Sequence, residues 1–249
     1  MSGLVNHQLT IAYDGTRFAG WQIQAKDDTV QSLIEKAITT LWGERYHLYG
    51  SGRTDAGVHA LGQIANFQAP VKFKDLNELR RALNHNLPEQ IRILGCKEVP
   101  EEFHARFTCK GKEYLYRIYN GEVMDPFEHM KAFHQPMSLD FKAMKEAQQH
   151  LMGTHDFSSF ASNPGYARTT MVRTMQSVSL QQEGSLVSLR FRADGFLYRM
   201  VRNLTGALIK VGRGRITASE FKAILEACKR SEAPQTAPSH GLYLYKVFY

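Results

Sequence analysis

Apolar residues at positions 30, 33, 34, 37, 38, 41 and 42 recur at intervals of three and four. That spacing makes residues 30–42 one amphipathic helix with a continuous face to bury. Asp28 or Thr29 is placed to cap it, and Gly43 to end it. On either side the period drops to two. Leu9, Ile11 and Tyr13 alternate as strand residues do, and residues 46–50 and 63–67 read as two more strands joined by the segment SGRTDAGVHA. A helix over 76–85, stopped by Pro88, and a strand over 91–99 complete the order β-α-β-β-α-β. This is the order of a ferredoxin-like unit.

The second half repeats that order without repeating its residues. A strand is expected over 113–119, a helix over 141–152 behind Ser138 or Asp140, and a hairpin of 172–180 with 186–193 turning at Glu183-Gly184. Helices over 199–211 and 219–229 follow, the latter behind a Thr217…Glu220 capping box, and a strand over 242–248 closes the chain. The fold class expected is therefore α+β: two ferredoxin-like halves, 1–107 and 108–249, with antiparallel sheets packed around a basic cleft.

The chain has 249 residues, 43% of them hydrophobic, which supplies a core without disulfides or metals. Its three cysteines, Cys96, Cys109 and Cys228, show no CxxC spacing, and their odd number argues for a reducing compartment. The opening MSGLVNHQLT lacks a basic stretch followed by an apolar run, and no window approaches a membrane span. A cytoplasmic protein is expected. Lys and Arg number 31 against 24 Asp and Glu, a formal charge of +7 that favours a polyanionic partner. Lys110, Lys112, Tyr114, Tyr116, Arg117 and Tyr119 fall in one stretch, and Phe196, Tyr198, Arg199 and Arg202 in another. Cations paired with aromatic faces suit phosphates and exposed bases.

Within SGRTDAGVHA, Gly52 and Gly57 bracket Arg53-Thr54-Asp55. Glycines there permit a tight backbone path and close approach of a ligand. On the residues alone two readings stand: a surface turn in which Asp55 bonds its own backbone, and a carboxylate kept ionised for chemistry by the guanidinium of Arg53. Tyr114 and Tyr116 share a strand, where aromatics usually serve the core, and Arg202 lies on an otherwise apolar helix. His129…His134 and His150…His155 are five apart rather than four, and no HExxH occurs, so no metal is assigned. His59 reads as a structural loop residue.

The string GRTDAGVHA, with Tyr13-Asp14-Gly15…Phe18-Ala19-Gly20-Trp21-Gln22 upstream, closely resembles the tRNA pseudouridine synthase A family. So do His104-Ala105-Arg106-Phe107, Lys112-Glu113-Tyr114-Leu115-Tyr116, Met200-Val201-Arg202-Asn203 and Ala237-Pro238…Gly241-Leu242-Tyr243, in that order along nearly the whole chain. The resemblance implies conversion of uridine to pseudouridine at positions 38, 39 and 40 of the tRNA anticodon stem-loop, by a homodimer. It implies Asp55 as the catalytic aspartate, Arg202 as a second catalytic residue near it, Tyr114 as substrate-contacting, and Arg53 as the arginine that helps displace the base. Isomerisation oxidises nothing and transfers no donated group, so no cofactor is expected. A non-catalytic RNA-binding module would explain charge and aromatics equally well but not the Arg-Thr-Asp loop. A small-molecule enzyme of the same fold class finds no phosphate loop to support it.

Overall fold

The structure is a computed structural model that describes residues 3–25, 27–163, 165 and 170–249. Its strands and helices follow in the order β1 (Leu4–Tyr13), α1 (Val30–Trp42), β2 (Tyr49–Gly50), β3 (His59–Pro70), α2 (Leu76–His85), β4 (Ile91–Val99), β5 (Gly111–Tyr119), β6 (Phe133–His134), α3 (Phe141–Gln149), β7 (Gly153–Asp156), β8 (Val172–Glu183), β9 (Leu186–Ala193), α4 (Met200–Gly212), α5 (Ala218–Glu226) and β10 (Leu242–Phe248). The chain is thus mixed α and β. It groups into two compact units, Met1–Lys110 with Tyr243–Tyr249, and Gly111–Leu242. No described helix is long and apolar enough to cross a membrane.

In the first unit the central strand β1 pairs antiparallel with β3 on one side and β4 on the other, and β2 adds antiparallel to β3. The C-terminal strand β10 runs parallel to the start of β3, with Tyr243 opposite His59. Leu9 and Ile11 of β1, Ala65 and Phe67 of β3, and Ile91 of β4 are fully buried, as are Ile34 and Ile38 of α1. Full burial of a Leu, Ile or Phe side chain contributes about 1.5–3 kcal/mol. Helix α1 begins at a capping box formed by Thr29 and Ser32 and ends at Gly43 with φ +81°. Asp75 caps α2 by accepting from the Glu78 amide. In the second unit β5, β9, β8 and β7 form an antiparallel run, with β6 parallel to β5. Asp140, not Ser138, caps α3, and Thr217 with Glu220 forms the expected box on α5.

Three local differences from the sequence reading have physical causes. Strand β2 is two residues long rather than five. The Leu48 backbone just before it is bonded elsewhere: its amide donates to Glu35 Oε1 (3.1 Å) and its carbonyl accepts from Gln31 Nε2 (3.0 Å). Helix α3 stops at Gln149 because the next three amides bond three residues back, tightening the chain into turns. The buried face of α1 also includes Gln31 and Glu35, while Leu33 is only partly covered.

Glu35 is therefore a buried anchor for the segment that leads into the Gly-rich loop. It accepts from Gln31 and Leu48 and meets Arg45 (3.4 Å) and His47 (3.1 Å). Glu35→Ala leaves the Leu48 amide without its acceptor and should cost about 1–3 kcal/mol. Urea denaturation measures this, and a loss below about 0.5 kcal/mol, the scale of an inert surface change, would remove Glu35 from that role.

Candidate active site

The segment 51–58 connects β2 to β3, and its two ends are tied to the sheet. The Ser51 amide donates to the Ile64 carbonyl (2.7 Å), and its hydroxyl donates to Gln63 Oε1 (2.6 Å). Gln63 is fully buried, and its amide nitrogen donates to the Gly52 carbonyl (2.8 Å). Asp55 opens a tight turn in which the Val58 amide donates back to the Asp55 carbonyl (3.1 Å). Gly57 holds φ +75° in that turn, a value that favours glycine.

The middle of the loop rests on residues 13–21. Thr54 is 8% exposed and shares a 2.7 Å hydrogen bond with the Tyr13 hydroxyl. Burial pushes the Tyr13 phenol well above its usual range, which keeps the proton on it. The Trp21 amide donates to the Thr54 carbonyl (3.1 Å), and the Gly57 amide to the Phe18 carbonyl (3.4 Å). Two glycines make the approach possible. A Cβ on Gly20, whose φ is +97°, would stand 2.6 Å from the Thr54 carbonyl oxygen, and one on Gly15 would overlap the Val58 carbonyl. The Gly20 and Trp21 carbonyls in turn accept from the first two amides of α1, Val30 and Gln31. Two sequence blocks about 40 residues apart therefore form one object, a cradle and the loop that lies in it. Asp55 is left half-exposed between buried Thr54 and buried Val58, and Arg53 is exposed.

His59, the first residue of β3, is buried and stacked on Tyr243 at 4.6 Å. Its Nδ1 lies 3.1 Å from both the Gly15 amide and Asp14 Oδ1. It clamps the loop's exit to the cradle. Among the described residues, no group of three or more His, Cys, Asp or Glu is placed to hold a metal.

The other two expected site residues lie in the second unit. Tyr114 on β5 is 8% exposed and meets Phe196 edge-on at 4.9 Å. Arg202 is half-buried in the first turn of α4, just after Arg199, whose φ is +58°. Its Nε donates to the Ala237 carbonyl (2.8 Å), while the Ala237 amide donates to the Arg202 carbonyl (3.1 Å). The neighbouring Asn203, read from sequence only as the last residue of the Met200–Asn203 block, is fully buried and hydrogen-bonded at both ends of its amide. Its amide nitrogen donates to the Phe160 carbonyl (2.8 Å), and its oxygen accepts from the Thr236 hydroxyl (2.6 Å) and Arg230 (3.2 Å). A Cβ on Gly206 would overlap the Gln235 carbonyl. The Met200–Asn203 block and the Ala237-Pro238 block thus hold each other, and Tyr116 joins them by donating to the Pro238 carbonyl (2.8 Å).

A family model described as tRNA pseudouridine synthase matches residues 9–108 and 147–249, which contain the cradle, the loop and the Arg202–Ala237 pairing. The chain belongs to the tRNA pseudouridine synthase family. Among its relatives, the tRNA pseudouridine synthase A of Methylacidiphilum infernorum is 47% identical over 246 residues, covering 99% of this chain and 96% of that protein. That of Acetivibrio thermocellus is 46% identical, covering 98% of this chain and 99% of its own length. A protein of Bacillus cereus called tRNA pseudouridine synthase A 2 is 43% identical over 97% of this chain and 98% of its own. As a member of this family, the chain is an isomerase.

The cradle makes Gly20 a sensitive position. Gly20→Ala must strain a backbone at φ +97° and displace the Thr54 carbonyl, at a cost of about 1–3 kcal/mol. Gly3→Ala, whose new methyl meets nothing, should change stability by less than about 0.5 kcal/mol. Chemical denaturation of the two variants side by side checks the contrast, and equal effects would contradict the close fit.

Proposed function

We propose that this chain converts uridine to pseudouridine at positions 38, 39 and 40 in the anticodon stem-loop of tRNA, with Asp55 as its catalytic carboxylate. The observation that carries this reading is the setting of Asp55. Its backbone is held on both sides by buried hydrogen-bonded residues, while the residue itself stays half-exposed. A mere surface turn would need no such bracing from a second segment, whereas a group that must meet a reacting atom gains from fixed placement.

The reaction breaks the bond from the ribose C1′ to uracil N1, turns the base, and joins C1′ to C5. The proton lost from C5 is balanced by one gained at N1. A stacked base is out of reach, so the target uridine is extruded at a cost of a few kcal/mol. Asp55 then acts as nucleophile or base. Arg53, exposed on the same loop, fills the vacated space and holds a phosphate. Tyr114 offers its ring to the extruded uracil. Its edge-on contact with Phe196 supports this role by fixing the ring's orientation. Arg202 serves as the second catalytic residue, and its tether to Ala237 supports that assignment by restricting its rotamers.

We read residues 1–107 as the half that carries the catalytic loop and 108–249 as a second, similar half. The order β4-β1-β3-β2 in the first supports a ferredoxin-like unit. The active form is proposed to be a cytoplasmic homodimer that binds one tRNA with both subunits.

The test is Asp55→Asn, which nearly preserves shape and removes one negative charge. The variant should fold, bind tRNA as tightly as the parent or slightly more tightly, and form no detectable pseudouridine in a single-turnover assay. A rate within about tenfold of the parent would leave Asp55 without the roughly 100-fold or greater contribution expected of a catalytic acid or base.

A further inference from the structure

Outside the Asp55 loop, the first unit displays four rings in an unbroken row. His47 meets Tyr49 at 4.5 Å, Tyr49 meets His104 at 4.9 Å, and His104 meets Phe107 at 4.3 Å. The Arg106 guanidinium lies over the Phe107 ring at 5.6 Å. Tyr49 is 43% exposed and Phe107 is 76% exposed. A phenylalanine so open to water gains little from burial, so packing does not account for it.

The turn that carries Phe107 is nevertheless fixed to the sheet. The Ala105 amide donates to Asn66 Oδ1 (2.8 Å), and the Ala105 carbonyl accepts from the Tyr249 hydroxyl (2.7 Å). Asn66 donates to Asn6 Oδ1 (2.9 Å), and Asn6 donates to the Phe103 carbonyl (2.8 Å). Asn6 and Asn66 are both almost fully buried. The His104 ring is oriented as well, because its Nδ1 accepts from the Arg106 amide (3.1 Å). Buried amides from β1 and β3 thus hold a solvent-facing turn in one geometry, with an aromatic face and a cation on display.

We infer that the His47–Tyr49–His104–Phe107 row, with Arg106, is a second RNA-contact surface that takes unpaired nucleobases of the substrate RNA by stacking, with Arg106 meeting the adjoining phosphate. Rings and guanidinium planes are the groups on which unstacked bases rest, which an acidic protein surface does not offer, and the chain's charge of +7 favours a polyanion such as RNA over a basic or neutral protein surface. Tyr49 lies six residues before Asp55 in the chain, so this ring of the row is within about 22 Å of Asp55, and one folded RNA can engage both. The inference rests on tRNA being the substrate, and its readout is RNA binding rather than product.

The test is filter binding of an unmodified tRNA to full-length variants. Phe107→Ala should raise Kd by about 5- to 150-fold, the range that stacking one base on one ring corresponds to, while Phe107→Tyr keeps the ring and stays within about threefold of the parent. Arg106→Gln should lower the slope of log Kd against log salt by about 0.7–0.9. Tyr49→Leu is a second, independent ring deletion on the same row and should weaken binding in the same direction. Kd values within twofold of the parent for both ring deletions would overturn the inference. So would a fall in sedimenting mass in the same variants, because the surface would then belong to a second copy of the chain. If Asp55→Asn retains activity but the ring deletions still weaken binding, the catalytic reading fails and this surface stands. If the parent chain does not retain tRNA, both fall.

Discussion

The Thr54 carbonyl sits over Gly20, where any side chain would collide with it, and it accepts the Trp21 amide there. The Thr54 hydroxyl meets the buried Tyr13 phenol at the same place. A backbone packed this closely on another backbone has few alternative arrangements. The position of the next residue, Asp55, follows from it. Because Gly20 and Trp21 also terminate the free amides of α1, the loop is referred through the cradle to a helix with a buried face, and His59 fixes its other end to the Gly15 amide of the cradle and to Tyr243 of β10. Removing the side chains at 15 and 20 is thus what allows a carboxylate to be both half-exposed and fixed.

The same device recurs wherever this chain holds an irregular segment still. A buried polar side chain on a regular element reaches out and satisfies backbone groups that no strand or helix partner serves. Glu35 and Gln31 do this for Leu48, Asn6 and Asn66 for residues 100–105, and Asn203 for the 160 region together with Arg230 and Thr236. Each such residue is costly if left unsatisfied and stabilising when fully bonded. These are the places where a polar-to-apolar change should loosen function-bearing segments before it unfolds the core.

Helices α1 and α5 were legible in the sequence because their caps are local: Thr29, Gly43 and the Thr217…Glu220 box act within one turn of the helix they bound. Asp75, which caps α2, was not read from the sequence. The short strands β6 and β7 were not legible. Each exists only because β5 or β8 offers an edge, and neither has enough residues to show a period. The shortening of β2 was hidden for a related reason, since it depends on Glu35, which looks from sequence like an ordinary exposed helix position. In the candidate site, the Arg-Thr-Asp triplet and its glycines were conspicuous. The role of the block at 13–22 was not, because close approach between segments leaves no local pattern beyond small residues. The bonding role of Asn203, though the residue stands in the Met200–Asn203 block, was hidden for the same reason.

If the cradle fixes the loop, its amides must be among the slow ones in the protein. Native-state hydrogen exchange at Val58, which donates to Asp55, and at Trp21, which donates to Thr54, measures this directly. Both should exchange only through openings whose free energy approaches that of global unfolding, alongside core strands such as β1 and β3. Exchange at either amide within about a factor of ten of an unstructured peptide, the behaviour of a mobile surface loop, would contradict it.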